Sequence, residues 1–424
     1  MGDLLTQRPR GTTDILPQDV VRWQEIERTV RELCQVYGYQ EIRTPVFEHT
    51  ELFARGVGET TDIVEKEMYT FTDRGGRSVT LRPEGTAGVV RAFVENKLYG
   101  WADAVKLYYI GPMFRYEKPQ KGRLRQLHQF GCEVFGASGP DVDAEVIALN
   151  VEVLRRSGLR DVQVELNSVG CSVCRPRHRE QMVEKLTPFK EQLCTDCQRR
   201  LERNPLRIFD CKNEICQGVL MESGAPTILE SLCDDCQIHF TGVQALLQSE
   251  RITFKINPRL VRGLDYYTRT AWECVLPGYS SVAGGGRYNG LVAEAGGPET
   301  PGIGFAVGLD RLLMILADKQ PEKSARSRLQ IFVVVADPTA QVYGMEILQE
   351  LRAAGIAADK DYLGKGMKAQ LKSADRLGAA FTVIVGEREL SKATVGLKNL
   401  VTGSQLELPR AELVEYLQSG GDKQ

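Results

Sequence analysis

Apolar residues recur at helical spacing near the start of the chain. Successive members of the set are three or four residues apart, which places them on one face of a helix. The set consists of Trp23, Ile26, Val30, Leu33 and Tyr37. The spacing predicts an amphipathic helix that packs one face onto a core, and Gly38 is a natural residue to end it.

Strand-like segments dominate the rest of the first part of the chain. The runs Arg77–Arg82 and Ala104–Ile110 alternate or are rich in β-branched residues, whereas Asp143–Arg156 has a helical pattern. Strands and helices do not alternate regularly here. The pattern therefore predicts an α+β domain with a mainly antiparallel sheet.

The last hundred residues have a different pattern. After a polar linker at 318–328, the apolar run Leu329–Val335 is typical of a buried parallel strand. A helix at Ala340–Ala354, a second helix near Met367–Leu377 and the strand Phe381–Val385 are predicted to follow. This alternation predicts a small α/β domain with a mostly parallel or mixed sheet.

Composition is that of a large globular enzyme. The 424 residues are 42% hydrophobic and 26% charged, which suits a packed core in two or three domains. No apolar run approaches the roughly 20 residues that span a bilayer, and the N-terminus lacks a signal-peptide stretch. We therefore expect a cytoplasmic protein. The net charge is −2, so any RNA contact must use local basic patches.

Eight cysteines fall between residues 170 and 240. They are Cys171, Cys174, Cys194, Cys197, Cys211, Cys216, Cys233 and Cys236. The first two pairs have the spacing of a four-thiolate zinc site, and the last two pairs offer a second one. A crossed pairing and a set of reduced structural cysteines both stay open. His178 and His239 are spare ligands in this prediction.

Three arginines stand in distinctive settings. Arg115 ends an apolar run and precedes a basic loop that leads to Arg123. Arg262 begins the hexapeptide Arg-Gly-Leu-Asp-Tyr-Tyr, and Arg311 follows a glycine-rich run and opens an apolar helix. Arginine presents a planar fork of donors that suits carboxylates and phosphates. These settings indicate a site that holds several anionic groups.

These motifs resemble the signatures of class II aminoacyl-tRNA synthetases. Phe-Arg-x-Glu with its loop resembles the second signature, and Gly-Leu-x-Arg resembles the third. The hexapeptide at Arg262 resembles the signature specific to histidyl-tRNA synthetases. The resemblance runs from about Arg10 to about Leu408 and implies that histidine is activated with ATP and Mg²⁺ and is then transferred to its tRNA.

The resemblance also implies roles for individual residues. Arg115 and Arg262 would grip the α-phosphate and the substrate carboxylate as the catalytic arginines, while Arg123 and Arg311 would hold the γ-phosphate end of ATP. Leu127 stands where the family has an aromatic that stacks on adenine, so that stacking is lost. Asp310 stands where glutamate is commoner.

Histidine would be bound by a second set of residues. The resemblance assigns the α-amino group to Glu84, Thr86 and Gln129, and the imidazole nitrogens to Glu133 and Tyr267, with Tyr266 lining the pocket. A buried ring nitrogen without a partner is costly, so a carboxylate beside the imidazole is physically reasonable.

Contacts to tRNA and to a second copy of the chain are also implied. Lys118, Gln120 and Lys121 are candidates for the acceptor stem, and Lys365 and Lys368 for RNA bound by the last domain. A homodimer is expected, with Ile42–Pro45 near its interface.

The resulting domain prediction has four segments. Residues 1–169 and 241–323 form the catalytic domain, residues 170–240 the cysteine-rich insertion, and residues 329–424 an anticodon-binding α/β domain. Two alternatives are a non-catalytic regulatory paralog in histidine biosynthesis and a nucleic-acid accessory protein. Such a regulatory paralog tends to lose the catalytic arginines and the last domain, which this chain keeps.

Overall fold

The computed structural model describes residues 6–58, 61, 63–118, 122–319 and 329–420. Contacts between Cα atoms divide the chain into two compact units, Met1–Glu322 and Lys323–Gln424. Each unit has its own sheet and its own hydrophobic core.

The first unit contains the longer strands and helices. Its strands are β1 Gln40–Glu41, β2 Phe47–His49, β3 Tyr69–Thr72, β4 Ser78–Leu81, β5 Val105–Phe114, β6 Gln126–Phe135, β7 Gln163–Ser168, β8 Phe254–Ile256, β9 Thr268–Val275, β10 Ala283–Arg287 and β11 Gly302–Gly308. Its helices are α1 Pro17–Val36, α2 Thr50–Val57, α3 Thr86–Glu95, α4 Pro140–Arg156, α5 Cys174–Leu186, α6 Thr195–Arg203, α7 Glu214–Glu222, α8 Asp234–Ser249, α9 Leu291–Glu294 and α10 Leu309–Lys319.

One sheet of eight strands organises this unit. The strand order is β1-β5-β6-β11-β10-β9-β7-β8. The pairs β1·β5 and β7·β8 at the two ends are parallel, and the neighbours between them are antiparallel. The predicted mainly antiparallel sheet is confirmed. The segment between β1 and β5 forms a smaller sheet in the order β2-β4-β3.

The predicted first helix is α1. Ile26, Val30 and Leu33 on its apolar face are buried in a core that also takes residues from α4, α8 and α10. Proline in the first turn of α1 and of α4 suits a position where the backbone N–H has no helical acceptor. These helices cover one face of the large sheet. The other face packs against α3 and α9 over part of its area and holds a cleft beside them.

The cysteine-rich segment folds into short helices between β7 and β8. Helices α5 to α7 and several 3₁₀ turns surround a small apolar core that includes Met182, Leu186, Leu201 and Ile208, whereas α8 packs in the core under the large sheet. This core is separate from the clusters under the large sheet. The segment is therefore a subdomain built onto the sheet.

The second unit has the predicted α/β pattern. Its strands are β12 Ile331–Val335, β13 Ala358–Lys360, β14 Phe381–Val385, β15 Thr394–Asn399 and β16 Gln405–Pro409, and its helices are α11 Gln341–Ala353, α12 Met367–Arg376, α13 Glu387–Lys392 and α14 Leu413–Gln418. The sheet order is β13-β12-β14-β15-β16. The first three strands are parallel to one another, and the pairs β14·β15 and β15·β16 are antiparallel. Among the described helices, none is long and apolar enough to cross a membrane.

Candidate active site

Most of the predicted site residues line one cleft of about 370 Å³ in the first unit. The cleft lies where β5, β6, β10 and β11 meet the start of α3 and the segment that contains the hexapeptide. The predicted residues in its wall are Glu84, Thr86, Arg115, Arg123, Leu127, Gln129, Arg262, Tyr266, Tyr267 and Arg311. Residues up to 227 positions apart in sequence, Glu84 and Arg311, thus share one surface.

Arg262 is held against the floor of the cleft. Its Nη1 donates to the carboxylate of Glu273 on β9. Burial lowers the pKa of Arg262 and the Glu273 carboxylate raises it, with a net increase. Its Nε is buried and has no hydrogen-bond partner among the described residues. A fixed cation with an unused donor is suited to an anionic ligand.

Three more arginines face the same space. Arg115 follows the end of β5, and its Nε donates to the carbonyl oxygen of Pro83 at 2.8 Å. Arg123 Nη1 lies 3.1 Å from Glu117 Oε2. Arg311, in the first turn of α10, donates from Nη2 to the carbonyl of Gly122 at 3.2 Å. Burial, followed by repulsion from Arg123, lowers the pKa of Arg311. This concentration of positive charge favours a polyanion.

The start of α3 forms a polar corner of the cleft. The Glu84 carboxylate accepts the backbone N–H of Thr86 at 2.9 Å and that of Ala87 at 2.7 Å, and so it caps the helix. Burial raises the pKa of Glu84 despite these donors. Gln129 Oε1, from β6, is buried without a hydrogen-bond partner among the described residues. An unpaired buried acceptor indicates a site for a ligand donor.

Glu133 lies beneath this corner and is not part of the cleft wall. Its side chain is fully buried and accepts hydrogen bonds from the hydroxyl groups of Thr86 at 2.7 Å, Tyr109 at 3.4 Å and Tyr288. Burial raises the pKa of Glu133 from 4.5 to about 8, although these hydroxyls act in the opposite direction. The carboxyl group therefore reaches the cleft through hydroxyls that line it.

Several residues of the cleft were missed by the sequence prediction. Tyr109 and Tyr288 line it, and their strand and loop settings resemble ordinary core positions. Glycines on β10 and β11 form its floor. A Cβ on Gly284 would lie 2.7 Å from Arg262 Nη1, and one on Gly286 would lie 2.6 Å from Tyr267 Cδ1. Three consecutive glycines in one strand were the signal available in the sequence.

The candidate RNA contacts lie in different places. Lys118 is exposed just beyond Glu117, whereas Gln120 and Lys121 lie outside the described residues. In the second unit, Lys365 Nζ lies 3.9 Å from Asp361 Oδ1, and Lys368 is exposed on α12. The structure brings both lysines to one end of α12.

The cysteines pair differently from the main prediction. Cys171 and Cys174 meet Cys233 and Cys236, which we call the outer cluster, and the inner cluster consists of Cys194, Cys197, Cys211 and Cys216. The proposed groupings of the first four and the last four cysteines were therefore wrong, and the crossed alternative is the one observed. Three of the four pairs have the same Cys-x2-Cys spacing, so spacing alone does not reveal which pairs meet. The helices between the pairs decide it.

The two histidines are not in these clusters. His178 Nε2 lies 2.9 Å from the carbonyl of Pro226, and His239 Nε2 lies 2.8 Å from Asp143 Oδ2. Their prediction as spare ligands was wrong. Asp143 also forms an ion pair with Arg287 and accepts a hydrogen bond from the hydroxyl of Thr270. His239 therefore belongs to a buried network beneath the sheet.

Two family models match the chain. A model described as "Histidyl-tRNA synthetase" matches residues 11–173 and 223–312, and one described as "Anticodon binding domain" matches residues 330–420. The first match stops within the outer cluster and resumes before Cys233. Most of the cysteine-rich subdomain is therefore outside that family model.

Two relatives that match over nearly their whole length are both named histidine–tRNA ligases. The chain is 54% identical over 414 residues to the histidine–tRNA ligase of Desulfitobacterium hafniense (strain DSM 10664 / DCB-2), which covers 97% of both chains. It is 55% identical over 416 residues to that of Moorella thermoacetica, covering 97% of this chain and 98% of the relative. A crystal structure of apo histidyl-tRNA synthetase from S. aureus aligns with a TM-score of 0.83 at 42% identity, covering 97% of this chain and 99% of the other.

Proposed function

The chain belongs to the histidyl-tRNA synthetase family, and we propose that its arginine-lined cleft joins histidine to AMP before the histidine is passed to tRNA. Full-length relatives at 54% and 55% identity are named histidine–tRNA ligases. They support a class II aminoacyl-tRNA ligase and not the regulatory paralog.

The first step joins the carboxylate of histidine to the α-phosphorus of ATP and expels pyrophosphate. Two anions must approach each other while negative charge builds on phosphorus, so positioning and charge neutralisation supply most of the catalysis. Arg262 and Arg115 are our candidates for the carboxylate and the α-phosphate. Arg123 and Arg311 are candidates for the γ-phosphate, because they share one end of the cleft with Glu117.

Mg²⁺ is the cation that we expect to accompany ATP. Besides Glu84, three carboxylates line the cleft, Glu117, Glu273 and Asp310, and oxygen ligands suit this hard cation. Glu273 pairs with Arg262, and Asp310 Oδ2 accepts the backbone N–H of His128 at 2.6 Å. Bound with ATP, Mg²⁺ would supply positive charge to the phosphate oxygens. Leu127 offers an apolar surface to adenine in place of an aromatic ring.

Histidine is the ligand that best suits the polar corner. The unpaired Gln129 Oε1 and the carboxyl group of Glu84 are acceptors for an ammonium group. Tyr267 and Tyr266 provide an aromatic wall, with ring centroids 4.8 Å apart. Thr86, Tyr109 and Tyr288 connect the pocket to Glu133. We therefore assign Glu133 to the imidazole side of the pocket, acting together with these hydroxyls.

Transfer to tRNA requires a second binding surface. The second unit matches an anticodon-binding domain, so the family assignment supports tRNA binding there. Lys365 and Lys368 are our candidates for phosphate contacts, because phosphate contacts position RNA without reading its bases. Lys118 is a candidate for the acceptor stem.

We also propose that the active form is a homodimer in the cytoplasm. Large apolar side chains are exposed on the smaller sheet and just before it, where Val46 is 41%, Phe47 52% and Phe71 48% accessible. Exposed apolar groups of this kind commonly mark an interface, and they adjoin the predicted contact at Ile42–Pro45. Sedimentation of the purified chain tests this, since a monomer at micromolar concentration would contradict it.

The unpaired Arg262 Nε, buried in a cleft with three further arginines, is the observation that carries the proposal. Its test is histidine-dependent exchange of labelled pyrophosphate into ATP. We expect exchange in the wild-type chain and a loss of about 10² to 10³ in Arg262→Ala, the range for removing a donor that acts on transition-state charge.

The matched control is Arg160→Ala, which removes an exposed arginine of the same unit away from the cleft. Full exchange in that variant shows that the loss at Arg262 is local. Histidine binding without any exchange in the wild-type chain would instead support the regulatory paralog.

A further inference from the structure

The two cysteine clusters have the geometry of metal coordination spheres. Within each cluster, the four Sγ atoms lie within 4.8 Å of one another. Four sulfurs about 2.3 Å from a tetrahedral zinc ion are separated by about 3.8 Å. The measured separations are 3.6 Å for Cys171–Cys174, 3.8 Å for Cys171–Cys233 and 3.9 Å for Cys194–Cys211. These values suit one shared ion and are far longer than the roughly 2.05 Å of a disulfide.

Backbone donors point at the sulfurs of both clusters. In the outer cluster, Cys174 Sγ accepts the N–H of Cys233 at 3.1 Å and Cys171 Sγ accepts that of Val173 at 3.4 Å. In the inner cluster, Cys216 Sγ accepts the N–H of Cys194 at 3.2 Å. Amide donors of this kind stabilise thiolate ligands and fix their orientation.

Helix N-termini converge on both clusters. Helix α5 begins at Cys174, and the N-caps of α6 and α8 are Cys194 and Cys233. The positive end of a helix dipole favours thiolate over thiol. Four cysteines, amide donors and helix N-termini therefore occur together twice in one small subdomain.

We propose that the subdomain binds two Zn²⁺ ions, one in the outer and one in the inner cluster. Zinc suits four thiolates because it is borderline-soft and accepts tetrahedral geometry without preference. The inner ion closes the core of the subdomain, since Cys197 and Cys216 are buried among its apolar residues.

The outer ion has a further role because it lies next to the cleft. Arg175 follows Cys174 directly, and its guanidinium donates from Nε to the carbonyl of Val169 at 3.2 Å and from Nη2 to the carbonyl of Tyr267. Tyr267 lines the proposed histidine pocket. The outer ion thus fixes Arg175, a positioning residue that holds the main chain of the pocket wall.

Metal content tests the two sites directly. We expect two zinc ions per full-length chain purified under reducing conditions, one in Cys233→Ser and one in Cys211→Ser, measured by inductively coupled plasma mass spectrometry. Cys34→Ala changes a buried cysteine outside the clusters and should keep both ions. Iron in place of zinc, or no bound zinc after incubation with Zn²⁺, overturns the assignment.

Co²⁺ substitution provides an independent readout. Cobalt in a tetrahedral tetrathiolate site gives an intense sulfur-to-metal absorption band, and each cysteine variant should lose about half of it. An unchanged band in both variants would show that the metal is bound elsewhere and would overturn the assignment.

The positioning role rests on the proposed histidine activation and has its own test. We expect KM for histidine to rise about tenfold in Cys233→Ser, with a smaller effect on kcat, as for other residues that support a site indirectly. Cys211→Ser should leave KM unchanged. Arg175→Lys should retain both ions and raise KM for histidine as Cys233→Ser does. It tests the positioning role even if Cys233→Ser does not fold. A KM for histidine equal to that of the wild type in all these variants would rule out the positioning role. The zinc assignment is tested separately by the metal content.

Discussion

Glu133 shows how burial changes the chemistry of a single side chain. It is fully buried, and its pKa is raised to about 8, so the carboxyl group is largely protonated at neutral pH before ligand binds. In that state it both donates and accepts hydrogen bonds, which suits a neighbourhood of three hydroxyls. In the proposed histidine pocket, the imidazole of the substrate would meet a carboxyl group that already carries a proton.

The raised pKa gives Glu133 a defined effect on stability. The unfolded carboxyl group loses its proton near pH 4.5, whereas the folded one keeps it until about pH 8. The folded state therefore binds more protons in this window, and its stability falls as pH rises through it. In ligand-free Glu133→Gln this loss should be absent. Relative to wild type, the variant should gain on the order of a few kcal/mol between pH 5 and pH 8.5.

Urea unfolding at the two pH values measures this difference. The comparison between variants at each pH removes the contribution of all other titrating groups, because they are common to both chains. A difference in the free energy of unfolding that is the same at pH 5 and pH 8.5 would contradict the raised pKa of Glu133.

At the scale of elements, β10 and β11 shape the cleft by lacking side chains. Gly284 and Gly286 leave room for Arg262 and Tyr267, and a Cβ on Gly304 would overlap Glu133 Oε2 at 1.9 Å. Glycine weakens a strand because it loses much conformational freedom on folding. The glycines therefore lower the intrinsic stability of these central strands, and in return Arg262 and Tyr267 can lie flat against them.

Gly284→Ala should reduce histidine-dependent pyrophosphate exchange by at least about tenfold. The added methyl group would meet Arg262 Nη1 at 2.7 Å and the Trp272 carbonyl at 2.9 Å, so the guanidinium must move, and misplacing a catalytic group by about 1 Å is costly. Gly100→Ala is the control, since its Cβ would meet no atom within 4 Å. Equal activity in both variants would show that the floor tolerates a side chain.

Elements were easier to predict than the details of the site. Helix α1 follows from its helical periodicity, because its apolar residues face one core. Strands β12 and β14 follow from continuous apolar runs, because such strands are covered on both faces of the sheet. The arginines of the cleft were found through motifs, and the structure brings them together. The depth of Glu133 was not predictable, because it depends on Tyr109 and Tyr288 from distant parts of the chain. The cysteine pairing was not either, since each pair is compatible with every other.

At the scale of the whole molecule, activation and tRNA binding draw on different parts of the chain. The cleft lies in the first unit, and the segment that matches an anticodon-binding domain is the second. Pyrophosphate exchange requires no tRNA. Changes in the second unit should therefore affect aminoacylation and leave activation intact.

The double variant Lys365→Ala/Lys368→Ala should raise KM for tRNA and leave pyrophosphate exchange unchanged. Each lost phosphate contact should also reduce the slope of log affinity against log salt by about one. Lys392→Ala, an exposed lysine at the end of α13, is the matched control. If the double variant and the control have the same salt dependence of tRNA binding, these two lysines do not contact the backbone.

The outer cluster has a consequence for how such a protein diversifies. Cys171 and Cys174 stand where the chain leaves the sheet after β7, and Cys233 and Cys236 stand where it returns. Because the two ends of this segment meet at the outer cluster, the segment is a closed loop attached to the sheet at one point, whatever its length. Loop length has only a weak effect on stability. The intervening residues other than Arg175, which holds the pocket wall, thus form an exchangeable cassette, in which evolution or an engineer can insert, shorten or replace a module without rebuilding the catalytic sheet.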